Sequence, residues 1–432
     1  MKIVFKLMLV FAVLALLAGF ECLLYSCNLV AYPVPKRALI HDNTKPVVQK
    51  QLTLLVYMAA DNDLESYAIS NLKAMERADF SGMNVLVLLD RSEGYDETND
   101  DWTDTRLFEV THDETNGSSI VSKRLLCPPL GLTQDSATEL DMGNSDILKT
   151  FIEFGKAEYP ATEYALIIWG HGTGWRYCLQ QNDTNSFRAV AIDDKSNSYI
   201  CVKELGLALR AQELSVIGFD TCFGSTFENL YELKDCAQYI AASPGLTPAT
   251  GWDYKTLLQN LCTTNFSAQE IADTMGKSAM QNITVTSCSE LPAIMTQLEA
   301  FSKALADTIY DEQSRRTVLD TLVNTRAYSY TQFPCDMYLD LFSMAQAYSN
   351  STNSELCSAS QKLKETTSFM QIGILFIPKT AEGVFAASHS LNYIKNEVNQ
   401  TQCSFIKESN WWVPTKNGNS NSLLDKLFYW NF

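Results

Sequence analysis

The residues best suited to chemistry lie in the stretch Leu214-Ser215-Val216-Ile217-Gly218-Phe219-Asp220-Thr221-Cys222-Phe223-Gly224, an apolar run that ends in an acid, a thiol and a glycine. A cysteine is a strong nucleophile once partly ionised, and it needs a base to take its proton. Only four histidines are available, His41, His112, His171 and His389. Of these, His171 has matching surroundings: Tyr164-Ala165-Leu166-Ile167-Ile168-Trp169 is apolar and runs straight into Gly170-His171-Gly172-Thr173-Gly174-Trp175. The glycines allow a sharp turn and a close approach of backbone to a ligand. His112 follows a short strand into a polar loop, and His389 falls in a helical pattern. Cys222 and His171 together would perform acyl transfer, the thiolate attacking a carbonyl while the imidazole moves the proton.

Such a pair needs elements to bring it together. Both apolar runs read as short buried strands. Between them, Val202, Leu205, Ala208 and Leu209 form the apolar face of a crossover helix, and a right-handed crossover makes the two strands parallel neighbours. Open α/β sheets bind ligands beyond the carboxyl ends of their strands, where both side chains would meet. Phe227, Leu230, Tyr231 and Leu233 follow Cys222 at helical spacing, which places the thiol at a helix N-terminus whose unpaired amides favour thiolate. Upstream, Leu52 to Met58 is a first strand, and Asn62 with Glu65 offers a capping box to a helix faced by Leu64, Ala68, Leu72 and Met75. Asn84 to Leu89, closed by Asp90, and Arg106 to Val110 are further strands, and a helix near Ser145 to Gly155 precedes the His171 strand. The alternation predicts an α/β fold with a parallel sheet and helices on both faces.

An apolar strand ending in His-Gly, followed about 50 residues later by one ending in Asp-Thr-Cys-Phe-Gly, resembles the caspase-type cysteine peptidases. Within that clan the chain is similar to the clostripain-like family. The resembling blocks, in family order, are Leu55 to Glu65, Ile168 to Trp175, Phe219 to Cys222 and Gly251-Trp252-Asp253-Tyr254. Thr221 departs from the usual alanine, and Ser243-Pro244 from the usual Ser-Glu pair. The resemblance implies a caspase-like, mostly parallel sheet flanked by helices, and a cysteine endopeptidase that cuts protein or peptide substrates after Arg or Lys. It implies a His171–Cys222 dyad, an oxyanion site at the amides of Gly172 and Cys222, and Asp220 in the pocket for the basic side chain, with Asp253 as a second acid there. It also implies internal processing in the polar stretch holding Arg176 and Arg188. No cofactor is required, although some members respond to calcium.

The chain opens with Lys2, Lys6 and an apolar run from Leu7 to Phe20, read as a signal peptide within residues 1–27. Leu24-Tyr25-Ser26-Cys27 resembles a lipobox, so Cys27 is a candidate lipidation site and the protein is expected in the envelope or secreted. Residues 28–50, with Pro33, Pro35 and Pro46, form a tether. A net charge of −17 argues against nucleic acid as a partner. None of the twelve cysteines shows the Cys-x-x-Cys spacing of a zinc site or redox centre; in an oxidising compartment some pairing is expected, its connectivity is not readable, and the count outside the leader, odd once Cys222 is set aside, fits a free Cys222.

Residues 51–290 therefore read as the catalytic domain and 291–432 as an appended C-terminal α+β unit. In that unit Leu291, Ile294, Met295, Leu298, Phe301, Leu305 and Ile309 form one helical face, Tyr338, Leu341, Phe342 and Ala345 another, and Ile372 to Pro378 a strand. Asp61, Asp63 and Asp90 at strand ends suit either a cation or turn capping, and Asp193 and Asp194 face the same choice. The competing functional reading is a catalytically silent envelope lipoprotein that binds peptide or glycan.

Overall fold

The computed structural model describes residues 48–115, 117–133, 137–174, 190–279, 283–325, 327–329, 337–368, 370, 372–376 and 423–428. The expected signal segment 1–27, most of the tether, Cys27, Arg176, Arg188 and His389 lie outside the described residues. In chain order the first strands are β1 (Lys50–Ala60), β2 (Met83–Arg91), β3 (Arg106–Glu109), β4 (Lys123–Leu125), β5 (Ala161–Trp169), β6 (Val190–Asp193), β7 (Ser198–Ile200), β8 (Leu214–Asp220), β9 (Ala237–Ala242) and β10 (Thr284–Ser287). Helices α1 (Glu65–Glu76), α2 (Ser145–Glu158), α3 (Val202–Leu209), α4 (Phe227–Glu232), α5 (Tyr254–Leu261) and α6 (Ala268–Ser278) connect them.

The central sheet has the order β10-β9-β8-β5-β1-β2-β3-β4. Strands β9, β8, β5, β1 and β2 run parallel, and the outer strands pair antiparallel. Because successive side chains point to opposite faces, the continuous apolar runs supply two cores at once. Leu55, Tyr57, Leu166, Ile168, Ile217 and Phe219 meet Phe151 and Ile152 of α2 and Leu205 and Leu209 of α3. On the other face Val56, Met58, Ile167 and Val216 meet Leu72 of α1, Leu257 of α5 and Ile271 of α6.

Beyond β10 come α7 (Leu291–Asp307), α8 (Glu312–Val323), β11 (Ala327–Ser329), β12 (Met337–Asp340), α9 (Leu341–Tyr348), α10 (Ser354–Thr366), β13 (Gly373–Phe376) and α11 (Leu423–Phe428). The last three strands form an antiparallel sheet. Ile294, Leu298, Phe301, Met344 and Leu363 join the core on the α2 and α3 side, so these residues pack on the main sheet. One expected helical face is divided: Tyr338 belongs to β12, and the Asp340 carboxylate caps α9 by accepting from the Ser343 amide at 2.8 Å. None of the helices among the described residues is long and apolar enough to cross a membrane.

The capping box at α1 is also replaced. Asn62 Oδ1 accepts from the Leu64 amide at 3.0 Å, while Glu65 turns inward and takes the Nε proton of Arg91 at 2.5 Å, both side chains being fully buried. Arg91 donates further to the carbonyls of Thr98 and Asp96, and Trp102 covers its guanidinium at 4.7 Å. Removing one partner of a buried pair strands the other charge. Glu65→Ala should therefore cost about 3 to 5 kcal/mol, read as a lowered denaturation midpoint in urea; a loss under about 1 kcal/mol would contradict the buried pairing.

Candidate active site

Strands β5 and β8 are paired in parallel with Trp169 opposite Asp220. Carried two residues past both strand ends, that register sets His171 beside Cys222. The join continues beyond the ladder, since the Gly170 amide donates to the Asp220 carbonyl at 3.3 Å. Gly170 has φ +137, a conformation that side chains rarely adopt. A Cβ on Gly172 would fall 2.7 Å from the Cys222 carbonyl oxygen and 2.8 Å from Thr221 Cβ. Glycine is thus required for the histidine loop to lie against the cysteine strand tip. Both His171 and Cys222 are half-buried.

The environment of the thiol differs from the one expected. Helix α4 begins at Phe227 and has six residues, so Cys222 is not at its N-terminus. Phe223 intervenes in the left-handed region, φ +57, fixed by its amide donating to the Gly245 carbonyl at 2.9 Å. The polar partner of the sulfur is Thr247, whose amide donates to Sγ at 3.2 Å and whose hydroxyl donates to the Thr221 carbonyl at 2.7 Å. Burial pushes the thiol up, and the Thr247 amide offsets this only in part. Burial therefore favours the thiol over the thiolate.

The imidazole has a carboxylate partner: His171 Nε2 lies 2.6 Å from Asp63 Oδ1. The hydrogen bond to His171 holds the Asp63 carboxyl below the usual carboxylate range. Asp63 follows β1, and its turn is anchored by buried Asn62, which donates to the carbonyls of Ala59 at 3.1 Å and Ile192 at 2.8 Å. Among the acids expected at strand ends, Asp61 and Asp90 are joined by Glu139 rather than Asp63, one carboxylate oxygen from each lying within 4.8 Å of the others. Asp61 Oδ2 and Asp90 Oδ2 are buried without hydrogen-bond partners, and burial pushes the Asp61 carboxyl up to about 6. An all-oxygen set with orphaned buried atoms fits a hard divalent cation. Asp193 instead accepts from the amides of Met142 at 2.9 Å and Ser196 at 2.7 Å, a structural role.

Asp220 points to the opposite side of the sheet from the α2 core, among Trp169, Trp252 and Tyr254. Its Oδ2 accepts from the Trp252 amide at 3.0 Å and the Tyr254 hydroxyl at 2.9 Å, while Oδ1 is buried with no partner. Burial without a cation pushes this carboxyl up to about 7. Gly251, φ +68, passes so close that a Cβ would fall 2.7 Å from Asp220 Oδ2. Asp253 is exposed and serves its own helix, accepting from the Thr256 amide at 3.0 Å and hydroxyl at 2.6 Å.

Three neighbours of the pair escaped the sequence reading. By sequence Asp63 groups with the cation candidates, and Thr247 carries no pattern of its own. Tyr338 reaches from β12 to donate to the Thr173 carbonyl at 2.9 Å and packs its ring 5.1 Å from that of Phe223. The same stretch is tied again where the Gly373 amide donates to the Ser225 carbonyl at 3.0 Å. Seven cysteines, Cys127, Cys201, Cys222, Cys236, Cys262, Cys288 and Cys357, are unpaired among the described residues.

The raised Asp220 carboxyl makes stability depend on pH. Between about 3.8 and about 7 the folded chain keeps a proton that the unfolded chain has lost, so stability falls as pH rises through that window. Asp220→Asn should accordingly match the parent in denaturation midpoint at pH 4 and exceed it at pH 8. Equal midpoints at both pH values would contradict a buried, partly satisfied carboxyl.

The fold has clear likenesses among solved structures. An inactive zymogen C11 protease from Parabacteroides distasonis is 18% identical, covers 82% of this chain and 98% of its own, and superimposes with a TM-score of 0.56. A secreted C11 cysteine protease from Bacteroides thetaiotaomicron, in complex with an irreversible peptide inhibitor, is 20% identical, covers 77% of this chain and 94% of its own, with a TM-score of 0.52. They bear out the expected caspase-like arrangement. Clostripain of Hathewaya histolytica is 27% identical over 230 residues, 49% of this chain and 42% of the length of that relative. The sequence profile of the Clostripain family matches residues 56–413, and the chain is a member of that family.

Proposed function

We propose that the protein is a cysteine endopeptidase that cleaves after arginine or lysine, with Cys222 as nucleophile and His171 as general acid and base. The observation that carries this reading is the parallel register of β5 and β8, which sets the two residues side by side at the strand tips. Cys222 gives its proton to the imidazole and attacks the peptide carbonyl; the imidazolium then protonates the leaving amine. The amides of Gly172 and Cys222 are the proposed oxyanion donors, each worth roughly 10²- to 10³-fold in rate. Asp220 takes the basic side chain of the substrate, because its orphaned buried oxygen lacks the charge-assisted partner that a guanidinium or ammonium supplies. Asp253, committed to capping α5, gains no support for a share in that pocket.

The finer features follow the same reading. Export through residues 1–27, with lipidation at Cys27, is consistent with a relative described as secreted. Self-cleavage at Arg176 or Arg188 matches the proposed preference for basic residues. Calcium would be held by Asp61, Asp90 and Glu139, where it would neutralise buried carboxylates and tie the tips of β1 and β2.

A panel of fluorogenic peptides differing only at P1 tests the main claim. Cleavage should occur after Arg or Lys, vanish in Cys222→Ala, and strengthen as pH rises past about 7, where Asp220 ionises. Undiminished cleavage by Cys222→Ala would defeat the assignment, and binding without cleavage would favour the silent lipoprotein. For calcium, thermal unfolding is the readout. Ligand at a hundredfold excess over its dissociation constant should add about 2.7 kcal/mol, an effect lost in Asp90→Asn; no shift in the parent would exclude the site.

A further inference from the structure

We infer that Asp63 positions His171 for catalysis, accepting the Nε2 proton and leaving Nδ1 as the nitrogen that exchanges protons with Cys222 and substrate. This inference rests on the peptidase reading above and goes beyond it, since it assigns a third residue and a tautomer. An ionised carboxylate can only accept, so the nitrogen it meets at 2.6 Å must carry hydrogen. A neutral imidazole has a single N–H, and its lone pair then belongs to Nδ1. In acylation the Cys222 S–H proton passes to Nδ1 and sulfur bonds to the carbonyl carbon. The C–N bond breaks as Nδ1–H protonates the leaving amine. In deacylation water gives its proton to Nδ1, its oxygen bonds to the acyl carbon, and the C–S bond breaks as the proton returns to sulfur. At each stage the imidazolium is stabilised by a charge-assisted bond to Asp63.

The carboxylate is well placed for this task. Strand β1 is the immediate neighbour of β5, with Met58 opposite Trp169, so the turn after β1 arrives beside the turn after β5. Buried Asn62 anchors that turn through the carbonyls of Ala59 and Ile192. The Asp63 side chain is 65% exposed and the His171 side chain 38%. Water therefore screens the interaction, and its loss should cost far less than the ~10⁴-fold seen when a buried triad aspartate becomes asparagine.

The test uses the full-length chain and a peptide substrate with Arg at P1. Asp63→Ala should lower kcat by roughly 10- to 100-fold, with KM within about twofold and an unchanged melting temperature, because the side chain is exposed. Asp63→Asn, which keeps an accepting oxygen, should recover part of that loss. Equal activity of Asp63→Ala and parent, while Cys222→Ala and His171→Ala are inactive, would overturn the positioning role and leave the peptidase standing. A loss confined to KM, or no recovery in the asparagine variant, would also count against it. Full activity of Cys222→Ala would instead remove the peptidase reading itself.

Discussion

The structure depends on the register with which β5 and β8 pair. Parallel strands buried on both faces have no solvent-facing side to mark their alignment, so packing must specify it. Ile168 and Phe219 are opposite one another and enter the same core, while Ile167 on the alternate face packs with Val216 against Met275 and Trp252. A slip of one residue would exchange every side chain between the two cores. It would also move His171 out of line with Cys222 and drive the loop against the Thr221 side chain and the Cys222 carbonyl, where even a Cβ on Gly172 finds no room. The large apolar side chains that make the cores are therefore what hold the polar pair in place.

This dependence explains how much was legible in the sequence. Strand positions, the crossover helix and the two tips follow from apolar runs and periodicity, which are local signals. What local signals do not carry depends on partners distant in the chain. Glu65 stands three residues after Asn62 like a capping residue, yet the burial of Arg91, 26 positions later, claims it. The helical spacing from Phe227 onward is real, but periodicity does not reveal that Phe223 takes a left-handed turn that delays the helix. Tyr338 fits a helical face by spacing, whereas pairing with Leu375 makes it a strand residue. Asp63 looked equivalent to Asp61; only the adjacency of β1 and β5 distinguishes the two.

Two buried acids in the α1 side of the molecule show how charge is managed. Glu65 has a fixed cation and is satisfied at both oxygens, by Arg91 and by the Asp96 amide. Asp220 has only neutral donors, both at the same oxygen. A buried carboxylate so placed is costly when ionised. Any cation reaching Oδ1 would lower that cost and be bound more tightly for it, which is the physical basis for a preference for basic side chains in the proposed pocket.

The C-terminal unit enters this logic through the resting state of the thiol. With the helix terminus not at the sulfur, and a single amide beside Sγ, burial favours the thiol, and the proposed mechanism relies on the imidazole to remove its proton. In the proposed mechanism, activation would require the two loops to hold a fixed separation, more than an electropositive site. Tyr338 is bonded to the histidine loop at Thr173 and packs its ring, tilted, against Phe223 of the cysteine loop, and β13 is tied to Ser225. One side chain from a strand more than a hundred residues downstream therefore spans both loops. On this reading the appended sheet is part of the catalytic geometry: residues that a domain boundary would separate from the active site set the distance across which the proton must move.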